Sequence, residues 1–377
     1  MNFLSIFSLV LLAYVTVSLL WWMPISRGKK VALFLFFLLI SQKYTFFQIF
    51  GTGPFNPSLP FAVMAVWEGL FNILLVLLNL LVLKDIVLLV CWILKKVGIV
   101  IRWPFNALQV KSALILMAMV AGPWGVYSAL SVPDVHRIEV SIKGLDPTLD
   151  GYRIVQLTDL HIGQLLKRPW LEKVVAKTNT LRPDMIVMTG DMIEGGVKKL
   201  HDEVAPYGAL VAKDGIFAVT GNHEYYHGKE AWIERLESMG IMMLENRHHV
   251  IERGDARLVV AGVTDKAARR QKLGEPDLEK ALPTDPQVPI ILLSHQPMAV
   301  ESRDRVDLQL SGHTHGGLIA TLQPLVGFFN GGFVDGLYRL GERTQLYVSP
   351  GTGLWTGMAC RIGVSSEITE IVLRSEQ

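Results

Sequence analysis

Long apolar runs in the first third of the chain constrain its fold more than any other feature. Residues 2–22 contain no charged side chain and end in the pair Trp21 and Trp22. A helix of about 20 apolar residues spans the hydrocarbon core of a bilayer, and tryptophan favours the interface. Three further segments have a similar apolar character: 31–50, 61–83 and 113–131. Residues 1–132 are therefore predicted to form an α-helical transmembrane bundle with four spans.

Residues 85–103 are long enough to cross a membrane, but Lys95 and Lys96 lie at the centre of the segment. Each lysine costs about 2.5–3.5 kcal/mol at a helix centre, which nearly cancels the gain from the apolar residues. Basic residues concentrate in two loops and are absent from a third: 27–30 and 84–112, against 51–60. Because basic loops stay in the cytoplasm, they favour a helix that lies along the inner interface.

This arrangement predicts an integral protein of the bacterial inner membrane, with its carboxy-terminal domain outside the cytoplasm. A fifth span at 85–103 would instead place that domain in the cytosol, and this alternative stays open.

Two ionisable residues fall inside predicted spans. Lys43 lies seven residues before the end of the segment 31–50, and Glu68 lies seven residues after the start of the segment 61–83. The short loop between these segments makes them antiparallel neighbours, so both side chains lie about 10 Å below the outer surface. Ionisable residues at such a depth tend to pair. We therefore predict an ion pair between Lys43 and Glu68; in the alternative, each side chain reaches interfacial water separately.

Residues 133–377 have the composition of an ordinary soluble domain. Runs of four to six apolar residues alternate with helical patterns, as in the strand-like RIVQLTD of 153–159 and the helix-like segment 169–182. Such alternation is typical of strands buried in layered sheets. The sequence therefore predicts an α/β domain after the membrane region.

Five of these apolar runs end in residues of the types that bind metals. They carry the following side chains: Asp159 and His161; Asp191; Asn222 and His223; His295; and His313 and His315. In α/β sheets ligands bind beyond the carboxyl ends of the strands, so segments that are distant in sequence can converge there. Gly190, Gly221 and Gly312 precede such residues, where a missing side chain permits a sharp turn and a close approach.

The residue types indicate a site for two metal ions. Aspartate oxygens and histidine nitrogens suit zinc, iron or manganese, and the two cysteines, Cys91 and Cys360, form no CxxC site. A carboxylate such as Asp191 can bridge two ions. Ions about 3.5–4 Å apart stabilise the attacking and leaving oxygens and lower the pKa of a bridging water. The hydroxide that results would act as the nucleophile near neutral pH.

The order D-x-H, GD, GNHE, H and GHTH resembles the calcineurin-like metallophosphoesterase family over about residues 150–373, and the tail resembles the YkuE-like branch. The resemblance implies a layered αββα sandwich. It also implies the following roles: Asp159, His161 and His315 bind the first metal ion; Asn222, His295 and His313 bind the second; Asp191 bridges both. His223 would be the catalytic residue that protonates the leaving oxygen or stabilises transition-state charge.

The YkuE-like branch usually has an arginine where this chain has Pro350 in the segment LYVSPGTG. Arg361 is a candidate substitute that would bind the substrate phosphate. Four histidines outside the motifs are interpreted as structural: His201, His227, His248 and His249.

Together these patterns predict a membrane-anchored, binuclear metal-dependent phosphoesterase that hydrolyses a phosphate mono- or diester. Its cofactors would be two divalent or trivalent ions of manganese, iron or zinc. Because the domain is tethered beside membrane lipid, a lipid-linked or envelope phosphate is a candidate substrate. Two alternatives remain: a UDP-diacylglucosamine-type pyrophosphate hydrolase with a cytosolic site, and a non-catalytic membrane receptor with a metal-binding domain. The net charge of +2 gives no signal for nucleic-acid binding.

Overall fold

The computed structural model describes residues 3–51, 57–102, 104–284, 288–297 and 304–376. Parts of four predicted segments lie outside these residues: residue 2 of the first span, 52–56 of the loop 51–60, Trp103 of the segment 85–103, and 285–287, 298–303 and Gln377 of the carboxy-terminal domain. The chain divides into two compact units. The first comprises Met1–Ser128 and Gly357–Ile362, and the second comprises Ala129–Thr356 and Gly363–Gln377.

The first unit is helical. Its helices are α1 Phe3–Val15, continued by a π-helical stretch Thr16–Trp21, α2 Arg27–Ser41, α3 Lys43–Phe50, α4 Phe61–Lys96 and α5 Ala107–Leu130. Three helical stretches in the described residues are long and apolar enough to cross a membrane: Leu4–Trp21, Phe61–Lys96 and Ala107–Leu130. The predicted span 31–50 falls on α2 and α3, which meet at a bend of 48° and form a broken span or a re-entrant pair. The helices confirm an apolar helical region at the amino terminus.

α4 differs from the prediction, which divided its sequence between a span at 61–83 and a separate helix at 85–103. The structure has one continuous helix of 36 residues that ends at Lys96. The reason is that no glycine or proline interrupts the sequence between Gly69 and Gly98. At 1.5 Å per residue α4 is about 54 Å long, whereas the hydrocarbon core measures about 30 Å, so α4 extends beyond that core.

The predicted ion pair between Lys43 and Glu68 is confirmed. Lys43 Nζ lies 2.7 Å from Glu68 Oε1, and both side chains are completely buried. The ammonium also lies 4.7 Å from the ring centroid of Tyr44 and 5.0 Å from that of Phe71. Aromatic faces attract a cation electrostatically. The alternative, in which each side chain reaches water separately, is wrong.

The buried pair is part of a polar cluster that holds Gly357–Ile362, the late segment of the chain that belongs to the helical unit. Two hydrogen bonds reach the Gly357 carbonyl oxygen, from Lys43 Nζ at 3.1 Å and from Tyr44 Oη at 2.7 Å. Two more involve Ala359. Its N–H donates to Glu68 Oε2 at 3.1 Å, and its carbonyl oxygen accepts from Asn72 Nδ2 at 2.7 Å. Irregular backbone at membrane depth requires such partners from the protein. The ionisable residues of the bundle therefore have a structural role.

Other basic residues of the helical unit lie farther along α4 and on α5. Lys84 pairs with Asp85, and Lys111 Nζ donates to the Leu19 carbonyl oxygen at 2.9 Å. Glu68 and Lys84 are 16 positions apart on α4, which corresponds to about 24 Å along the helix axis. The basic residues near Lys84 and the buried ion pair are therefore separated by most of a bilayer core.

The second unit is an α/β domain. Its described strands are β1 Asp134–Lys143, β2 Arg153–Leu157, β3 Met185–Thr189, β4 Ile216–Val219, β5 Ile241–Met243, β6 Arg247–Arg253, β7 Ala256–Gly262, β8 Ile290–Leu293, β9 Leu308–Ser311, β10 Gly336–Arg339, β11 Gln345–Val348 and β12 Glu367–Glu376. Its described helices are α6 Arg168–Thr180, α7 Val197–Leu200, α8 Asn222–Tyr226, α9 Lys229–Glu237, α10 Ala267–Gln271, α11 Leu278–Ala281 and α12 Gln323–Phe329.

Two six-stranded sheets, ordered β1-β12-β2-β3-β4-β5 and β10-β11-β9-β8-β7-β6, pack face to face. Alternate side chains of a strand point to opposite faces, and along β3 Val187 enters the core between the sheets while Ile186 and Met188 face the opposite way. Residues of α6 and α9 cover the outer face of the first sheet, and α11 packs on the second. This arrangement confirms the layered αββα sandwich.

Parallel strands bring the motif residues to one edge of the sandwich. β2, β3 and β4 are parallel neighbours in the first sheet, and β8 and β9 are parallel neighbours in the second. Each of these strands ends two or three residues before a predicted site residue. Because the carboxyl ends of parallel strands share an edge, the five motifs converge there.

Removal of one partner of the buried ion pair is predicted to destabilise the helical unit. We expect Lys43→Ala to lower the free energy of unfolding by about 3–5 kcal/mol, because the variant leaves Glu68 buried without its partner. Adding Glu68→Ala should recover part of this loss, but not all of it, since Gly357 and Ala359 each lose a hydrogen-bond partner. Thermal unfolding of both single variants and the double variant in detergent measures the coupling. Lys95→Ala, at an exposed position of α4, is the control, and strictly additive losses would contradict a coupled pair.

Candidate metal centre

Acidic and histidine side chains that follow β2, β3, β8 and β9 form two groups. Within each group the ligand-type atoms lie within 4.8 Å of one another. The first group contains Asp159, His161 and His315, and the second contains Asp191, His295 and His313. The structure thus brings together six of the seven residues that the resemblance assigned to metal ions, with Asp191 beside His295 and His313. Glu194 and His223 form a further set of this kind with His161 of the first group.

Asp191 lies between the two groups. Its Oδ2 is 3.2 Å from His295 Nε2 and 3.7 Å from His161 Nε2. On the side of the first group, His315 Nε2 lies 3.6 Å from Asp159 Oδ1. One oxygen of Asp191 is therefore close to histidines of both groups, which is the arrangement that a bridging carboxylate requires.

The backbone at these positions is strained. Five site residues have a positive φ: Asp159 (53°), His161 (43°), Asp191 (52°), His313 (73°) and His315 (50°). The left-handed conformation costs an L-residue roughly 1–2 kcal/mol. Such strain persists where surrounding contacts stabilise it, and it concentrates at functional sites. One such contact is the His313 N–H, which donates to Asp159 Oδ2 at 3.0 Å.

Two glycines allow the backbone to approach the carboxylates closely. A Cβ atom at Gly221 would lie 2.2 Å from Asp191 Oδ1, and one at Gly312 would lie 2.2 Å from Asp159 Oδ2. A side chain at either position would displace the carboxylate, so both positions require glycine. The close approach predicted for these two glycines is confirmed.

Glu194 orients His161 in the first group. Glu194 Oε2 lies 3.0 Å from His161 Nδ1. Because an ionised carboxylate only accepts hydrogen bonds, Nδ1 carries the hydrogen and Nε2 keeps its lone pair. His161 Nε2 is buried and has no hydrogen-bond partner among the described residues. A carboxylate commonly holds a metal-binding histidine in this way.

In the second group a backbone carbonyl oxygen orients a histidine ring. His295 Nδ1 donates to the Thr189 carbonyl oxygen at 2.8 Å, so its Nε2 faces Asp191. Asn222, at the start of α8, has a buried Oδ1 without a hydrogen-bond partner in the described part of the chain. Buried lone pairs that no protein donor satisfies need another partner, and imidazole nitrogens and amide oxygens suit metal ions. The residues present therefore fit metal binding.

His223 lies beside both groups. Its backbone N–H donates to Asp191 Oδ1 at 2.9 Å, and its Nδ1 is 2.8 Å from Glu194 Oε2. The centroid of its ring lies 4.6 Å from that of His161 and 6.3 Å from that of Trp355. The side chain is thus positioned next to the metal-type residues, where it can exchange a proton with a reacting oxygen.

Nearby charges determine the protonation of these groups. Burial alone would lower the pKa of His223, but the charge of Asp191 and the contact with Glu194 raise its pKa to about 9. Burial alone would raise the pKa values of Asp191 and Glu194, yet the surrounding histidines hold both below the usual range. These charges favour the ionised form of both carboxylates and the protonated form of His223.

Two side chains of this site were not assigned to it from the sequence. Glu194 contacts His161 and His223, and His227 Nε2 lies 3.2 Å from Glu194 Oε1. His227 therefore packs beside the site, and its interpretation as a structural residue stays a prediction. The other three histidines make contacts elsewhere: His201 with Asp202, His248 with the Ala281 carbonyl oxygen and His249 with the ring of Phe217. No spacing pattern marked Glu194, because its role depends on which imidazoles surround it.

A buried acid also lies near the second group. Asp265 follows β7 and accepts a hydrogen bond from Gln296 Nε2 at 3.0 Å, next to His295 in the chain. Its position after an apolar run is the signal that marked the other site residues, so the same reasoning could have identified it.

Arg361 is grouped with the helical unit, where its backbone N–H donates to the Gly125 carbonyl oxygen at 3.0 Å. Its side chain is completely buried. The assignment of Arg361 to substrate binding stays a prediction. Pro350 is also buried and lies against Gly316, beside the histidine motif.

The contacts of Glu194 predict a role in orienting the histidines. We expect Glu194→Gln to lower metal affinity or kcat about 10–100-fold, because the amide cannot hold both His161 and His223 as a carboxylate does. His227→Ala should have a smaller effect, since it removes only the outer contact of Glu194. Metal content by mass spectrometry and steady-state kinetics check both expectations. Glu234→Gln, at an exposed position of α9, is the matched control, and equal behaviour of the Glu194 and Glu234 variants would refute the role.

Comparison with known proteins agrees with this geometry. A model of the family described as calcineurin-like phosphoesterase matches residues 152–317. A transmembrane protein with metallophosphoesterase domain from Danio rerio is 39% identical over 71% of this chain and 63% of its own length. A metallophosphoesterase from Campylobacter jejuni is 36% identical over 70% of each chain. The metallophosphoesterase YkuE from Bacillus subtilis is 31% identical over 70% of this chain and 94% of its own length.

The chain spans slightly less than two thirds of the Danio rerio relative, but it covers most of the two bacterial relatives. The matched residues 152–317 include every motif residue from Asp159 to His315. The sandwich fold, the paired groups of acidic and histidine side chains and these similarities lead to one conclusion. The chain belongs to the calcineurin-like metallophosphoesterase family.

Proposed function

We propose that this protein is a membrane-anchored phosphoesterase that uses two metal ions to hydrolyse a phosphate mono- or diester. The observation that carries the proposal is the position of Asp191 between the two groups, with Oδ2 at 3.2 Å from His295 Nε2 and 3.7 Å from His161 Nε2. The ligands would be Asp159, His161 and His315 for one ion, Asn222, His295 and His313 for the other, and Asp191 for both. Manganese, iron and zinc all suit this set of nitrogen and oxygen ligands.

When bound, the two ions would supply a hydroxide nucleophile near neutral pH and neutralise charge on the phosphate. The side chains of the site hold the histidine rings in the orientation that metal binding needs. The charge of Asp191 and the contact with Glu194 favour the protonated form of His223, which would give its proton to the leaving oxygen. Glu194 contacts both His161 and His223. A single carboxylate would therefore hold a metal ligand and the proton donor in place.

The charge distribution of the helices supports an extracytoplasmic catalytic domain. Lys84 lies about 24 Å along α4 from Glu68. Basic residues remain on the cytoplasmic side of a membrane. The segment Gly357–Ile362 hydrogen-bonds to Glu68, far along α4 from Lys84. The sequence that flanks this segment would therefore lie on the side of the membrane opposite to Lys84. In a bacterium this would be the outer side of the inner membrane.

A substrate linked to lipid or to the cell envelope is consistent with that placement, because tethering raises the concentration of such a substrate at the site. A UDP-diacylglucosamine-type pyrophosphate hydrolase would instead need a cytosolic site, which the charge distribution disfavours. The two groups of metal-binding residue types, together with His223 as a proton donor, argue against a non-catalytic receptor.

Replacement of Asp191 and of His223 should affect different properties. We expect Asp191→Asn to lose most activity and to bind less metal, because it removes the charge that both ions share. His223→Ala should retain its metal and lower kcat about 10²–10⁴-fold, the usual contribution of a general acid. Purified protein with manganese and a chromogenic phosphodiester provides the assay, and His201→Ala, at an exposed position, is the control. A wild-type rate for Asp191→Asn would exclude the two-metal proposal.

The side of the membrane can be measured with two reporter fusions at Gln377. If the basic segments are cytoplasmic and α4 crosses once, an alkaline phosphatase fusion should be active in a Sec-exporting bacterium. A green fluorescent protein fusion at the same position should be dark. Fluorescence together with an inactive phosphatase would place the site in the cytosol and favour the pyrophosphate hydrolase.

A further inference from the structure

The catalytic unit contains an uncharged stretch, Gly316–Val334, that begins directly after His315. None of its nineteen residues is charged. It includes the 3-10 turn Ala320–Leu322 and α12, which together form a short apolar helical element. We refer to Gly316–Val334 as the apolar segment.

Large side chains of the apolar segment are exposed. Phe328 is 80% exposed, Phe329 is 71% exposed and Leu325 is 57% exposed. Leucine and phenylalanine are usually buried, and a cluster of exposed ones indicates a surface that meets a partner. Leu325, Phe328 and Phe329 all lie on α12, whereas Ile319 of the same segment is buried. The segment therefore has one face toward the protein and one away from it.

Hydrogen bonds hold the apolar segment in place at both ends. Gln323 Nε2 donates to the Gly316 carbonyl oxygen at 3.2 Å and to Asp335 Oδ2 at 3.0 Å. Thr314, which lies between His313 and His315 in the chain, donates through Oγ1 to the Val334 carbonyl oxygen. The exposed face therefore belongs to an ordered element that is hydrogen-bonded to the loop of His313 and His315.

We propose that α12 inserts Leu325, Phe328 and Phe329 into the headgroup region of a lipid bilayer, and that the site takes an amphipathic phosphate ester from that bilayer. This inference rests on the proposed phosphoesterase function and assigns the substrate class to the same site. The apolar tail of the ester stays in the lipid while its phosphate reaches the loop His313–His315.

The composition of the segment favours lipid over a protein partner. A short apolar helix lies in a bilayer interface with its apolar face among the acyl chains, and any charge on that face would have to leave water. Protein interfaces usually surround an apolar core with a polar and charged rim, which nineteen uncharged residues do not provide. The chain's own apolar helices keep the domain beside a bilayer, so that even a weak lipid contact is occupied.

A fluorescent label at Phe328 tests the contact with lipid independently of catalysis. We would replace Cys91 by Ser, introduce Phe328→Cys, attach the probe NBD and reconstitute the full chain in nanodiscs of phosphatidylethanolamine and phosphatidylglycerol. Doxyl-labelled phosphatidylcholine should quench this probe, and iodide in solution should not. Asp255→Cys, in the exposed turn between β6 and β7, is the matched control and should show the opposite pattern. The Cys91→Ser protein alone measures any labelling of the buried Cys360.

Two outcomes of the labelling experiment would overturn the inference. Quenching of the Phe328 probe by iodide would show that α12 faces water. Protection from iodide without quenching by doxyl lipid would show that a protein surface, such as a second copy of this chain, covers α12. Neither outcome depends on hydrolysis, so both leave the proposed phosphoesterase function intact.

A pair of esters that differ only in their alkyl chain tests the substrate class. In nanodiscs the wild-type protein should hydrolyse p-nitrophenyl hexadecyl phosphate with a kcat/KM at least about tenfold above that for p-nitrophenyl methyl phosphate. The double variant Phe328→Ser with Phe329→Ser should lose that preference and keep the rate with the methyl ester. Equal rates with both esters in the wild-type protein would overturn the inference. Failure of the metal-loaded protein to hydrolyse either diester or the monoester p-nitrophenyl phosphate would instead refute the proposed function, and the label would still report on the membrane contact.

Discussion

The catalytic unit depends on two buried carboxylates, Asp159 and Asp191, held at the carboxyl ends of neighbouring parallel strands. A buried carboxylate is costly unless hydrogen bonds and positive charge compensate it. Backbone N–H groups supply part of this compensation, since those of His313 and His223 donate to the two carboxylates. Close approach of these N–H groups requires the positive φ angles and the glycines that precede the motif residues. The strained backbone is therefore a consequence of placing acids in the interior.

The same rule explains the polar residues of the helical unit. Lys43 and Glu68 are completely buried, and their mutual contact is only part of what satisfies them. Each also hydrogen-bonds to the backbone of Gly357–Ile362, which needs partners at a depth where water is scarce. An ion pair in an apolar bundle is weak evidence for stability by itself. Here it allows an irregular segment from the end of the chain to pack among helices.

These features give a consistent physical account of a tethered phosphoesterase. The helices restrict the domain to the neighbourhood of a bilayer, which raises the effective concentration of any substrate that resides there. The metal-type residues lie on short loops after rigid strands, so small displacements are resisted by the packed sheets behind them. The apolar segment continues from one of these loops and exposes Phe328 and Phe329. A lipid-linked phosphate ester would unite the tether, the exposed aromatics and the buried acids in one function.

Sequence patterns were sufficient to predict the helical region, the α/β alternation, the ion pair and the residues that meet at the strand ends. These predictions used the length of apolar runs, the equal offsets of Lys43 and Glu68 from a short loop, and strands that end in Asp or His. Only the folded chain shows that Glu194 contacts His161, His223 and His227, that Arg361 is buried and that Gly357–Ile362 joins the helices. Each of these depends on which side chains distant segments place side by side. The spacing of residues along the chain carries no information about such contacts, because the partner of each side chain is set by packing of the two sheets and of the helices.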